Sequence, residues 1–235
     1  MATLIERVRF GLTDPVGAVR HLLRRRRFPW DGDGRLQRRQ YASYAEYVSH
    51  QREKLDARDD SWLNEFDERY RSALRARLED AHVVPPRARV LCLAARLGTE
   101  VRAFLDLGCF ALGIDLNPGK ENKYVVTGDF HQIQFATASV DLVFTNALDH
   151  AFDMTKLMDE IRRVLAPDGK LVLEIVNGRR EGYAPGYFEA SIWERIDDVV
   201  ALFCQSGFRV TKRVPITYPW DGQMVCFARG DAGSA

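Results

Sequence analysis

Between Arg89 and Asp115 the chain reads RVLCLAARLGTEVRAFLDLGCFALGID: an apolar strand, a turn of small residues, a short amphipathic helix and a second apolar strand closed by an acid. A βαβ unit of this kind sets its two strands parallel and lets a ligand approach the backbone amides of the first loop. The acid that closes the second strand stands where a ribose can donate hydrogen bonds to it. The loop between strand and helix, Ala94 to Gly98, lacks two of the glycines that such loops usually have. Alanine tolerates a close backbone approach nearly as well as glycine, provided φ stays negative.

The chain changes character at Pro85 and Pro86, which divides it into an N-terminal helical extension over 1–85 and an α/β domain over 86–235. The extension is rich in arginine and aromatics, with helical periodicity and no convincing strand. Asp14 followed by Pro15 is a helix start, an N-cap with a first-turn proline. That helix carries Val16, Val19, Leu22 and Leu23 into the block Arg24, Arg25, Arg26, Arg27. After a glycine-containing break, Tyr44, Val48 and Leu55 repeat at helical spacing. Trp62, Phe66, Tyr70, Leu74 and Leu78 then form a single apolar stripe, one residue every turn.

Beyond the boundary, strand-like runs begin at Ala88, Phe110, Lys123, Val140 and Lys170, with helical patterns between them. The best of these helices carries Met154, Leu157, Ile161 and Leu165 on one face, with Gly169 as its stop. Strands separated by helices predict a doubly wound parallel sheet. After a last helix around SIWERIDDVVALFCQSG come two β-rich runs joined by PWDG, a turn too short for a crossover helix. That pair must be an antiparallel hairpin. The expected fold is thus α/β: a doubly wound, seven-stranded, mostly parallel sheet with a C-terminal antiparallel hairpin.

At 235 residues with 46% hydrophobic and 29% charged side chains, the composition is that of a globular protein with a substantial core. A formal net charge of +1 argues against a polycation that binds nucleic acid. No apolar run approaches the ~18 to 20 residues of a membrane span. Glu6, Arg7 and Arg9 interrupt the stretch where a signal peptide would be apolar, so a cytoplasmic protein is expected. Cys92, Cys109, Cys204 and Cys226 show neither C-x-x-C pairing nor histidines at ligand spacing, and are expected to be free buried thiols with no metal and no disulfide.

From Ala88 to Ala228 the chain resembles the class I S-adenosylmethionine-dependent methyltransferases, whose Rossmann-like sheet ends in such a hairpin. The family's first motif, apolar-apolar-acid-apolar-Gly-x-Gly-x-Gly, aligns with Val90 to Gly98. Cys92 takes the place of the acid, Ala94 and Arg96 take the places of two glycines, and Gly98 is retained, with Thr99 as helix cap. The resemblance implies S-adenosylmethionine as cofactor. It assigns the loop Ala94, Ala95, Arg96 and Gly98 to that cofactor, with Asp115 and Leu116 at the ribose. Asp129 and Phe130 fall at the adenine, His131 one residue past them either contacts the cofactor or packs, and Asn146 falls beside the methionine portion and the transferred methyl. Arg96 either reaches the cofactor's carboxylate or an anionic substrate, or points to solvent, and Leu97 is a candidate pocket wall.

A methyl on a sulfonium is already activated, so holding the acceptor in line supplies most of the rate and a general base helps where the acceptor is a hydroxyl. Asp149 and His150 follow Asn146 at the carboxyl end of the sheet and are the candidate catalytic pair; alternatively Asp149 caps a helix and His150 packs as a pocket wall. Arg179, Arg180 and Tyr183 lie on the same edge as candidate acceptor contacts. Tyr44, Tyr47 and His50 are candidate lid residues. The expected acceptor is a small molecule, sugar or lipid-linked precursor methylated at oxygen. Arg24 to Arg27 either form a solvated face or touch an anionic substrate or lipid surface. One rival reading is a methyltransferase-like binding or scaffold protein without turnover; another is a nicotinamide-dependent oxidoreductase, which the terminal hairpin argues against.

Overall fold

The computed structural model describes residues 28–32, 34–56 and 60–230, without the side chains of 54–56 and 60–65. The helix start at Asp14 and Pro15 and the Arg24 to Arg27 block lie outside the described residues. In chain order the elements are strands β1 (Trp30–Asp31) and β2 (Leu36–Arg39), then helices α1 (Tyr44–Asp56) and α2 (Asp60–Ala81). Next come β3 (Arg89–Leu93), α3 (Thr99–Asp106), β4 (Phe110–Asp115), β5 (Val125–Thr127), β6 (Val140–Thr145), α4 (Met154–Val164) and β7 (Leu165–Val176). The chain ends with β8 (Ser191–Trp193), α5 (Ile196–Gln205), β9 (Phe208–Ile216) and β10 (Gly222–Arg229).

Seven strands form one sheet, as the sequence predicts, and their order is β5-β4-β3-β6-β7-β10-β9. The first five pair parallel, and β10 runs antiparallel to both β7 and β9. Strand order reverses at β3, whose neighbours are β4 and β6, and the carboxyl ends of β3, β4 and β6 open there into a crevice where a ligand can bind.

Period-two alternation divides the core between the two faces of this sheet. Leu91, Leu93, Val143, Leu171, Leu173 and Val225 point to one face and pack with Met154, Leu157 and Ile161 of α4 and with Ile196, Val199 and Phe203 of α5. Val90, Cys92, Leu142, Phe144, Val172 and Met224 point to the other, against Tyr70, Leu74 and Leu78 of α2 and Val101 and Phe104 of α3. The α2 stripe is therefore core from Tyr70 onward, each such side chain contributing about 1.5 to 3 kcal/mol by leaving water. Phe66 is only half-buried. The α4 helix starts at Asp153, whose side chain accepts from the Lys156 amide at 3.0 Å.

Several expectations need correction. The N-terminal region is not wholly helical. Its β1 and β2 form a three-stranded antiparallel sheet with β8, and Leu36 pairs with Trp193. Ser191–Trp193, read as the start of the last helix, is that third strand, and α5 begins only at Ile196. Pairing with a strand some 150 residues away overrides the local helical pattern there. Gly169 does not stop α4, which ends at Val164; pairing instead jumps from Val140↔Leu165 to Leu142↔Lys170, so Ala166 to Gly169 loop out of β7. Thr99 is not a cap, because Gly98 takes the N-cap position at φ 85°. Cys92, Cys109 and Cys226 are buried free thiols, but Cys204 is exposed.

Candidate active site

The loop from Ala94 to Gly98 leaves β3 with a backbone that its sequence disfavours. Ala94 has φ 52° and Arg96 φ 43°, both in the left-handed region, so the proviso that alanine would keep a negative φ is not met. Each non-glycine residue in that region costs about 1 to 2 kcal/mol. Hydrogen bonds impose the shape: Arg96 N donates to Asp115 Oδ2 at 2.9 Å, Ala95 N to Ile114 O at 3.1 Å, and Gly98 N to Ala95 O at 2.7 Å. Close packing fixes the rest. A Cβ on Gly113 of β4 would come within 2.7 Å of the Ala95 Cβ, so the loop can lie against β4 only where β4 has no side chain. The loop thus keeps a glycine-type geometry without the glycines.

Asp115 closes β4 as expected. Its other oxygen, Oδ1, accepts from the Asn117 amide at 2.8 Å. Each carboxylate oxygen holds a second lone pair, so the group can still accept from a diol.

A cavity of about 340 Å³ opens over the crevice. It brings Ala94, Arg96, Asp115, Leu116, Phe130 and Asn146 together with Asp149 and His150. Ala95 is buried beneath the loop at 2% exposure, and neither Gly98, Asp129 nor His131 is on the cavity wall. Asp129 is held by the Tyr44 hydroxyl, which donates to its Oδ2, and by the His131 amide at 2.8 Å. Burial opposes its charge, but the hydrogen bonds from His131 and Tyr44 outweigh it and hold the carboxyl below its usual range. His131 Nε2 accepts from the amides of Phe152 and Asp153 at 3.2 and 3.1 Å. Its proton is therefore on Nδ1, facing Asp129 Oδ1 at 3.1 Å. Asp129 and His131 thereby fasten α1 to the sheet. Of the candidate lid residues only Tyr47 lines the cavity; its hydroxyl donates to the His150 carbonyl at 3.0 Å.

His150 stands in a 3₁₀ turn, Leu148–His150, directly after β6. Its Nδ1 lies 2.9 Å from the Phe188 carbonyl, which can only accept, so Nδ1 carries the proton and the basic lone pair is on Nε2. Asp149 Oδ1 is 3.9 Å from that Nε2. Tyr183 and Glu189 complete this end of the cavity. Arg179 and Arg180 do not; they pair with Glu194 in a separate outer groove. The loop carrying Tyr183 and Glu189 is tied down by buried Arg39 of β2, which donates to the carbonyls of Phe28, Gly186 and Glu189.

The opposite wall was not read from the sequence. Asp67 and Tyr70 of α2, Glu100 of α3 and Trp220 of the β9–β10 turn all face the cavity. Behind them runs a buried polar chain. Arg77 Nη2 donates to Glu174 Oε1 at 2.6 Å, Tyr70 donates to Glu174 Oε2 at 2.7 Å, and Asn146 Nδ2 donates to the Tyr70 hydroxyl at 2.8 Å and to Glu100 Oε1 at 2.9 Å. Burial pushes the Glu100 carboxyl up to about 7 against the opposing pull of a backbone hydrogen bond, Arg96 and Asn146. One signal was present: Asp67 and Arg77 fall three residues before Tyr70 and three after Leu74, on the same face of α2 as the apolar stripe.

This topology, with the crevice at β3, defines the class I methyltransferase fold, and residues 91–173 match the family model described as a methyltransferase domain. The resemblance stated from the sequence is borne out. Among curated proteins the chain is similar to a malonyl-[acyl-carrier protein] O-methyltransferase of Methylococcus capsulatus, 35% identical over 104 residues. That match covers 38% of each chain, well under two thirds of the relative's length. Among solved structures it resembles a 1,6-didemethyltoxoflavin-N1-methyltransferase of Burkholderia thailandensis, solved with 1,6-didemethyltoxoflavin and S-adenosylhomocysteine bound. The TM-score is 0.64 at 18% identity, covering 86% of this chain and 99% of that one. A SAM-dependent methyltransferase of Aquifex aeolicus gives a TM-score of 0.54 at 18% identity, covering 73% of this chain and 98% of that one. Likeness at this identity is likeness of fold. Among the described residues no helix is long and apolar enough to cross a membrane.

Proposed function

We propose that the chain is an S-adenosylmethionine-dependent methyltransferase acting on a small-molecule acceptor at an oxygen. What carries this reading is that one cavity gathers the βαβ loop and Asp115 with Asp149 and His150. The residues fit the cofactor. Asp115 presents a carboxylate held rigid by two backbone amides, suited to a vicinal diol, and Phe130 supplies an apolar surface for a base. Asn146 stands between the two ends, its amide already oriented by Tyr70 and Glu100.

The cofactor supplies a methyl activated on its sulfonium. The chain's own part is to hold the acceptor in line and to take up its proton. His150 is suited to taking up that proton, because the Phe188 carbonyl fixes its tautomer and leaves Nε2 as the base, while Asp149 stabilises the imidazolium that forms. The acceptors named for the similar proteins, malonyl-[acyl-carrier protein] and 1,6-didemethyltoxoflavin, differ from one another, so the acceptor is to be found by screening. The replaced glycines are the reason to weigh a scaffold protein without turnover. The left-handed geometry kept at Ala94 and Arg96, and a cavity that remains open above them, speak against it.

The test is calorimetric titration with S-adenosylhomocysteine, with NAD as control. Micromolar binding of the first alone is expected, and Asp115→Ala should weaken it by about tenfold or more through loss of charge-assisted hydrogen bonds. Equal affinity in that variant would remove Asp115 from the site. Binding to neither ligand by the unaltered chain would defeat the reading.

A further inference from the structure

The acid that the first motif lacks has no substitute on β3. Cys92 is fully buried and faces α2 and α3 rather than the cavity. Charge enters instead from the helices. Asp67 of α2 has a side chain only 5% exposed, and it lines the cavity. Thr99 makes a hydrogen bond to this carboxylate, yet Oδ1 accepts none. The nearest cation, Arg96 Nη2, is 3.7 Å from Oδ1, an ion pair longer than a hydrogen bond. Glu100, whose Oε1 accepts from Asn146 at 2.9 Å, lines the same wall. A buried carboxylate oxygen without a donor is unfavourable unless something supplies one. The guanidinium of Arg96, 23% exposed on the cavity wall, is correspondingly under-used by its partner.

Opposite charges about 4 Å apart, each incompletely satisfied and each facing the same space, are the complement of an α-amino-acid zwitterion. We infer that Asp67 and Arg96 exchange their loose ion pair for the amino-acid end of the cofactor, Asp67 taking the α-ammonium with Glu100 beside it and Arg96 taking the α-carboxylate. This rests on the function proposed above and deepens it. Asp67 lies outside the segment 91–173 that matches the methyltransferase family model, so part of the cofactor site comes from the helix ahead of that domain.

The test compares S-adenosylhomocysteine with 5′-methylthioadenosine, which keeps the adenosine and the thioether but has no amino-acid end. Both are titrated calorimetrically into the full chain, into Asp67→Asn, which is isosteric and removes only the charge, and into Arg96→Met. Each variant should bind S-adenosylhomocysteine about tenfold to a hundredfold more weakly, the range expected for one charge-assisted hydrogen bond. Their affinity for 5′-methylthioadenosine should equal that of the unaltered chain, which also reports that the pocket is intact. If S-adenosylhomocysteine affinity is unchanged in both variants, or if the two ligands weaken in parallel, the zwitterion assignment is wrong while the methyltransferase reading stands. If the unaltered chain binds neither ligand, both fall together.

Discussion

The two walls of the cavity are built on different principles. The wall formed by the Ala94–Gly98 loop and Asp115 is held by backbone: strand register, main-chain amides and one close approach at Gly113. The wall formed by α2 is held by side chains, in the chain from Arg77 through Glu174, Tyr70 and Asn146 to Glu100. A backbone-built wall tolerates substitution as long as each residue can be forced into the required φ, which is how Ala94 and Arg96 stand in for glycines. A side-chain network has less latitude, because removing one buried member leaves its neighbours' polar atoms short of a partner.

The sharpest break between them is expected at Glu174. It is buried at 1% exposure, its carboxyl pushed up by burial and drawn down by Arg77 and Tyr70. Arg77→Met should leave that carboxylate uncompensated and cost about 3 to 5 kcal/mol, read by urea unfolding. The comparison is Arg89, which makes an equally short 2.6 Å contact with Asp141 but with side chains 55% and 34% exposed. Arg89→Ala should cost far less, because solvent screens an exposed pair. Equal losses for the two would mean that the α2 network contributes nothing beyond an ordinary surface pair.

Legibility from the sequence divides along the same line. The parallel sheet of seven strands, its antiparallel hairpin, the α2 stripe and Asp115 at the tip of β4 were all readable, since each follows from periodicity or from a nearby motif; the order of the strands was not. The Tyr70–Glu174 bond spans 104 residues and the Asp67–Arg96 pair joins an extension to a loop, so neither has a local signature. Asp129 was readable as a residue but not as a fastener. Its partner Tyr44 comes from a helix 85 residues earlier. The strands β1, β2 and β8 were missed for the same reason. Strands of two to four residues carry too short an alternation to register, and they exist only by pairing with one another.

Glu100, where the two walls meet, gives a pH test of intermediate size. Its carboxyl titrates near 7 in the fold against 4.5 unperturbed, because burial disfavours the charged form. Between those values the folded chain keeps a proton that the unfolded chain has lost. This contribution to stability is therefore complete below 4.5, falls as pH rises through 7, and is gone above it. The loss amounts to about 3 kcal/mol. Glu100→Gln removes the titration while keeping the shape. The difference in unfolding free energy between variant and parent should thus shift in favour of the variant by that amount between pH 4.5 and 8. A difference independent of pH would mean that Glu100 is ionised throughout, and that Arg96 and Asn146 compensate its burial fully.

The smallest effect concerns two adjacent alanines of the backbone-built wall. Ala94 is held at φ 52°, whereas Ala95 is absent from the positive-φ residues and packs its Cβ at 2% exposure against Gly113. Glycine at position 94 relieves a left-handed strain of about 1 to 2 kcal/mol, and the extra freedom of the unfolded chain returns part of it. Glycine at position 95 gains no such relief, and it gives up a buried methyl as well as backbone entropy. Ala94→Gly should accordingly stabilise the protein by about 1 kcal/mol, and Ala95→Gly should destabilise it by about as much or more, both read by thermal unfolding. If both variants lost stability alike, the left-handed turn at Ala94 would be relaxed by its hydrogen bonds, and the replaced glycine would have been dispensable from the start.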